Sequence, residues 1–327
     1  MDYEDFPYWV LAFYHIGPVA DPHAEVKRHK EFFALRDVTS RIYFSEQGVN
    51  GQMSAGKEHA IEYMKWMHAQ EGFGDLVFKI HGSSEQAFPK VAVRYRKQLV
   101  AMDRDVDLSQ RGRHVSPAEW KQMLEEKDSD TLLVDVRNSY ESAVGHFEGA
   151  EMPLCETFRQ FPDYARTLKD KRDPKKTRVM MYCTGGIRCE FYSALLKEEG
   201  FEDICQLDGG VIGYGLQEGN KHWKGKLFVF DDRMTIPISD DEAPPIAGCR
   251  HCNLSGDVYH NCANMDCNEL FVCCPDCLAQ HKGCCSTKCM SQPRVRAYRK
   301  DGSSKPFRKW SPQQKQEWDC ERSALSH

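Results

Sequence analysis

The apolar segment Arg178-Val179-Met180-Met181-Tyr182 runs directly into Cys183-Thr184-Gly185-Gly186-Ile187-Arg188-Cys189. A helical pattern follows from Glu190 to Glu199, with Phe191, Ala194 and Leu195 at helical spacing. This order constrains the chain more than any other stretch, because a short bounded apolar run reads as a buried parallel strand. Cys183 then lies at a strand end and a helix mouth. The small residues Thr184, Gly185 and Gly186 let the loop amides turn inward as an anion nest, with Ile187 completing the cradle. The helix dipole favours a thiolate, or any anion carried on its sulfur. Arg188 closes the ring with a fixed positive charge. The bland alternative is a core thiol beside a glycine turn, which leaves two glycines and an arginine without a packing purpose.

With 327 residues the chain suggests two or three domains. Its 41% hydrophobic and 11% aromatic content fits a globular protein. A net charge of -5 carries no global basic signature, so nucleic-acid contact must come from local patches. There is no apolar run of transmembrane length, and Met1 to Asp5 is acidic where a secretory leader is basic, so no membrane partner and a cytoplasmic location are expected. Of fifteen cysteines, ten fall between Cys249 and Cys289 and none precedes Cys155. In a reducing compartment such crowding implies metal ligands rather than disulfides.

Residues 1–100 read as strand (Trp9 to Ile16), helix from Asp21-Pro22, strand (Arg41 to Phe44), helix (Gly56 to Gln70), then strands at Leu76 to Ile80 and Val91 to Tyr95. A tight turn, Gly48-Val49-Asn50-Gly51, leads into the strand Gln52 to Ser54. This β-α-β-β-α-β order is that of an α+β, ferredoxin-like unit. The Gln47 to Gly51 turn is expected to present backbone groups to a ligand. Lys90, Arg94, Arg96 and Lys97 beside Tyr95 suit a phosphate backbone, the alternative being a charged strand edge.

Residues 101–237 are read as a second domain. Met102 to Arg113 reads as a linker, and Ser116-Pro117-Ala118-Glu119 as a helix start. Thr131 to Val136 is a buried strand, and strands alternating with helices imply a parallel α/β sheet with ligands at its carboxyl ends. Leu227 to Arg233 reads as a last strand. The motifs Asp135-x-Arg137-x-x-x-Glu141, Gly145-His146-Phe147-x-Gly149-Ala150, Cys183-x4-Arg188 and Leu207-Asp208-Gly209-Gly210 resemble the rhodanese domain over about a hundred residues. That resemblance implies a cysteine carrying a persulfide or another covalent adduct, cradled by loop amides. Asp135 and Arg137 are read as an ion pair holding the strand end, and His146 as a fold-signature residue. The loop has four residues between Cys183 and Arg188, one fewer than in related phosphatases, which disfavours phosphate-ester chemistry. Cys189 is read as a core-facing helix residue, or else as a thiol that resolves an oxidised Cys183.

Residues 238–327 open on an acidic, proline-punctuated linker, Ile238 to Pro245. Beyond it Cys249, Cys252, Cys274 and Cys277 form one expected zinc set, and Cys262, Cys267, Cys285 and Cys289 a second. So small a region has little core, so metal would supply much of its folding energy. Between Ser291 and Trp310 seven positive charges stand against one negative, so Arg294, Arg296 and Arg299 could track RNA phosphates while Tyr298 or Trp310 stacks on a base. A solvated tail is the alternative.

Taken together, the Gly48-to-Gly51 turn, the octapeptide Cys183 to Glu190, the segment Phe228-Val229-Phe230-Asp231 and the cysteine-rich end resemble the oxygen-dependent tRNA uridine hydroxylase family up to Cys289. This resemblance implies an anticodon-loop substrate, O2 as co-substrate with an external electron donor, and 5-hydroxyuridine at the wobble position as product. Cys183 is then expected to add to C6 of uracil, with Arg188 and the loop amides stabilising the developing anion. Loop chemistry alone ranks a persulfide-carrying sulfurtransferase first. A zinc-stabilised RNA-binding adaptor is the non-enzymatic reading, against which an intact Cys183 and Arg188 speak.

Overall fold

The computed structural model describes residues 3–298 and divides into two compact units, one ending at Ile246 and the other beginning at Ala247. In the first unit, β1 (Tyr8–Ile16), α1 (Pro22–Phe33), β2 (Val38–Ser45), β3 (Gly48–Gly56), α2 (Lys57–His68), β4 (Lys79–Ser83) and β5 (Val91–Tyr95) build a five-stranded sheet of order β4-β1-β3-β2-β5. Four strands have the ferredoxin-like order, and β5 adds a parallel edge beside β2. Alternation assigns the two faces. Trp9, Leu11 and Phe13, Ile42 and Phe44, and Val49 and Met53 are buried with Phe33, Ala60, Tyr63 and Met67 of the two helices. The opposite face carries Ala12 and Tyr14, Arg41 and Tyr43, and Asn50 and Gln52.

The expected turn at Gly48-Val49-Asn50-Gly51 is corrected: these residues are the first half of β3, and the reversal is made by Glu46-Gln47. A side chain at Gly51 would collide with the Phe13 ring, its Cβ coming within 2.3 Å of Cζ. Gly51 thus serves close strand packing, not a bend.

The α/β layer follows as β6 (Arg113–Val115), α3 (Pro117–Glu125), β7 (Thr131–Asp135), α4 (Ser139–Ser142), β8 (Gly145–Phe147), α5 (Phe161–Lys171), β9 (Arg178–Tyr182), α6 (Ile187–Glu198), β10 (Asp203–Leu207) and α7 (Gly210–Glu218). Its sheet is parallel, in the order β6-β10-β9-β7. Val179 and Met181 face α5 and α6, while Met180 and Tyr182 face α3 and α7. Helix α3 starts as its cap motif requires, the Ser116 hydroxyl accepting from the Glu119 amide. The expected linker packs back on α6: Arg111 donates to Glu190 at 3.1 Å, and the Gly112 amide to the Ser193 hydroxyl at 2.9 Å. The expected strand at Leu227 to Arg233 is shorter than read. Only Leu227–Phe228 pairs, with Thr235–Ile236, because Asp231 accepts from the Arg233 amide and guanidinium and turns the chain.

The second unit holds short paired strands, two helical turns at Pro275–Gln280 and Thr287–Met290, and a core made largely of cysteine sulfur. No helix among the described residues is long and apolar enough to cross a membrane.

Candidate active site

Cys183 stands where β9 ends and α6 begins, at the carboxyl edge of the parallel sheet. The docking of α7 sets the loop's shape. The Val211 and Ile212 amides, two of the donors a helix start leaves unsatisfied, bond to the carbonyls of Cys183 at 3.0 Å and Thr184 at 3.1 Å. Gly210, at φ +63°, makes this possible, since a Cβ there would lie 2.7 Å from both carbonyl oxygens. The Asp208-Gly209-Gly210 motif is therefore a seat for the cysteine loop.

The sulfur accepts from the Gly186 amide at 3.1 Å. Burial pushes the Cys183 thiol up. That effect is outweighed by hydrogen bonds from the Cys189 thiol and from the Cys189 and Gly186 amides, together with the Arg188 charge, which hold it at about 5. Cys183 is therefore a thiolate near neutrality. Cys189 is fully buried, and its own pKa is raised by burial and by the adjacent Cys183. Cys189 thus faces the core and also stands against the Cys183 sulfur.

Arg188, expected to close the ring with a fixed positive charge, is itself paired. Its two terminal nitrogens donate to the two oxygens of Glu141, at 2.5 and 2.8 Å, and Nη2 also reaches the Thr184 hydroxyl at 3.2 Å. Thr184 in turn donates to Glu141 at 3.2 Å. Glu141 is completely buried and also accepts from the Asn138 amide. It is the functional residue the sequence reading passed over. Its place in Asp135-x-Arg137-x-x-x-Glu141 was visible, but its partner lies 47 positions away. Asp135 and Arg137 form a second buried bidentate pair at 2.8 and 2.6 Å, tied to Tyr182 and the Gly145 carbonyl. That pair ties the end of β7 to the end of β9, where Asp135 stands opposite Tyr182.

Above the sulfur opens a cavity of about 250 Å³. Cys183, Thr184, Gly185, Ile187 and Arg188 form one wall, and Phe158 and Phe230 contribute apolar surface. The outer face of the first sheet forms the other wall, with Tyr14, Arg41, Tyr43, Asn50, Gln52 and Lys79. Although Cys183 is only 1% exposed, its surface belongs to this cavity. Polar ties join the layers, among them Tyr14 donating to Glu190 at 2.8 Å and Lys79 to the Gly185 carbonyl at 2.9 Å. Glu190 also receives His114 at 2.9 Å, which raises the histidine's pKa.

The basic residues expected at RNA divide. Arg94, Arg96 and Lys97 are exposed beside the cavity; Arg94 pairs in register with Tyr43, and the Arg96 guanidinium lies 5.0 Å from the Tyr43 ring. Arg294 instead binds Asp266 at 2.5 Å. Arg296 is buried, bonded to Asn268, because the bridge between Asn264 and Val295 carries it into the cysteine-rich core, where desolvation lowers its pKa. Tyr298 packs on the same core. Arg296, so buried, is not a surface contact for RNA, while Tyr298 stays half-buried. Arg299, Lys305 and Trp310 lie outside the described residues.

In the second unit the eight expected ligands gather as expected: Cys249, Cys252, Cys274 and Cys277 in one group, Cys262, Cys267, Cys285 and Cys289 in the other, each with its sulfurs within 4.8 Å of one another. Metal–sulfur bonds of about 2.3 Å at tetrahedral angles place sulfurs about 3.8 Å apart. Cys252–Cys274 and Cys267–Cys285 stand at 3.7 Å and Cys285–Cys289 at 3.8 Å. Both groups fit a tetrahedral ion.

Family models match along the chain: a UPF0176 acylphosphatase-like domain over residues 8–99, a rhodanese-like domain over 116–216 and a rhodanese C-terminal region over 224–290. A tRNA uridine(34) hydroxylase of Protochlamydia amoebophila is 58% identical over 92% of this chain and 94% of its own. A tRNA uridine(34) hydroxylase of Chlamydia trachomatis serovar D is 54% identical over 92% of both. With identity this high over nearly the whole length of each protein, the chain belongs to the tRNA uridine(34) hydroxylase family.

Proposed function

We propose that this protein hydroxylates C5 of the wobble uridine in tRNA, with Cys183 as the attacking thiolate. The carrying observation is a sulfur held at about 5 on the floor of a cavity sized for one nucleobase. The anticodon loop is single-stranded, so its base can be splayed into such a pocket. Tyr43, Phe158 and Phe230 supply ring surface, and Asn50 and Gln52 supply amides that can pair with the uracil edge. Arg94, Arg96 and Lys97 are placed to meet the flanking phosphates.

In this reading the thiolate adds to C6 and C5 becomes nucleophilic toward activated oxygen. One oxygen atom of O2 enters at C5 and the other leaves as water, which consumes two electrons and two protons from an external reductant. Arg188 assists by stabilising the thiolate, while Glu141 holds it in place. The cysteine tetrads hold zinc in a structural role, and the protein acts in the cytoplasm, where tRNA is available. A sulfurtransferase would share the cysteine loop but has no evident use for the Asn50 and Gln52 wall. Replacing Cys183→Ser should abolish 5-hydroxyuridine in tRNA by nucleoside mass spectrometry. Its persistence would remove Cys183 from the mechanism, and a stable added sulfur on the native cysteine would favour sulfur relay.

A further inference from the structure

Among the described residues three cationic side chains line the cavity: Arg41, Lys79 and Arg188. Arg188 has both arms on Glu141. Arg41 is exposed and donates to the Phe230 carbonyl at 2.7 Å. Lys79 differs from both. It is carried on β4 opposite Ala12, and the Gly185 carbonyl fixes its ammonium beside the cysteine loop at 2.9 Å. The Tyr14 ring supports the charge from 5.1 Å. Burial lowers its pKa, against the nearby Cys183, Asp208 and Glu190. An ammonium has three donors, and Gly185 takes one.

We propose that Lys79 is a catalytic residue, donating to O4 of the uracil as Cys183 adds to C6. This rests on the thiolate-addition reading above. In that step a sulfur lone pair forms the S–C6 bond, the C5=C6 π pair moves into conjugation with C4, and O4 becomes an enolate oxygen. No oxidant is consumed. The new negative charge falls on O4, where an ammonium already held in place at the cavity wall is most effective. The first domain thereby completes a site whose nucleophile belongs to the second.

The enolate can take a proton at C5 from solvent and then lose the original one, so addition alone exchanges the C5 hydrogen. The full chain incubated with tRNA in D2O without oxygen should label the wobble uridine, read by mass spectrometry, and Cys183→Ser should not. Lys79→Met should exchange about 100-fold more slowly or worse, while Lys79→Arg recovers part of the rate. Cys183 alkylation against pH, run on the same variants, should still show a low-pKa thiol in Lys79→Met. Should that variant melt early, Lys79→Gln must show the same loss.

Exchange in Lys79→Met or Lys79→Gln within about threefold of the native rate overturns the proposal and leaves the thiolate reading standing. So does a loss accompanied by loss of the Cys183 thiolate, since Lys79 would then act only through the loop. A native protein that hydroxylates in oxygen yet never exchanges C5 without it overturns the addition reading itself, and Lys79's role with it.

Discussion

Two populations of cysteine are held in this chain by different means. Cys183 is a single sulfur made anionic by protein donors: one loop amide at 3.1 Å, the Cys189 thiol and the Arg188 charge. Eight of the cysteines of the second unit face each other in fours, three neighbouring pairs of sulfurs standing 3.7 to 3.8 Å apart. Four thiolates at that distance repel, so such a group is stable only as thiols or around a cation. What surrounds a cysteine therefore decides its chemistry. Glycines and an arginine at a strand end keep a sulfur reactive, whereas paired cysteines a few residues apart keep one another occupied.

Chelation should separate the two populations of cysteine by the largest effect. Structural zinc contributes on the order of 10–16 kcal/mol in small domains. A strong chelator should unfold the region after Ala247, seen as loss of amide protection there, while Cys183 still alkylates as a low-pKa thiol. Loss of that thiolate on chelation would show that the two populations are not independent.

Glu141→Gln comes next. It leaves the Arg188 guanidinium buried beside a neutral partner, and breaking a buried pair costs about 3–5 kcal/mol. Denaturant unfolding of the first unit should shift by that amount, with metal content unchanged. Cys189→Ala is gentler. It removes one hydrogen bond to a charged sulfur, about 1.5–3 kcal/mol, so the Cys183 pKa should rise by about one to two units in an alkylation profile. The pH dependence has a fixed sign. The folded pKa is depressed to about 5, so the thiolate's contribution is fully present above the unfolded thiol's value and is lost as pH falls through 5. Native protein should gain stability from pH 5 to 9 relative to Cys183→Ser.

The local half of this architecture was legible. Strand, loop and helix around Cys183 are adjacent in sequence, and the two groups of cysteines that could hold a metal announce themselves by spacing. The far wall of the cavity was not. Tyr14, Asn50, Gln52 and Lys79 meet only through the register of three strands, Tyr14 opposite Asn50 and Ala12 opposite both Gln52 and Lys79. No local pattern says which polar sheet face will meet a partner layer. Asn50-Gly51 carries a turn signature, yet contact with Phe13 made it strand. Arg296 failed for a related reason: a charge run reads as solvated, and a single bridge at Val295 took it inside.

Cys284 and Cys273 put the finest edge on the comparison, because they are cysteines in the metal region that belong to neither group. Both are buried, and Cys273 lies 4.0 Å from Cys249, close enough that spacing alone would admit it as a ligand. The group whose sulfurs all lie within 4.8 Å of one another joins Cys249 to Cys252, Cys274 and Cys277 and leaves Cys273 out. Cys284→Ala should cost about 1 kcal/mol, the loss of one small buried group, and leave metal analysis at the two ions per chain that two filled groups would give. Cys285→Ala, one position on, should lower it to one. If the two neighbours behaved alike, the rule that surroundings rather than crowding assign a cysteine its work would fail where it is easiest to test.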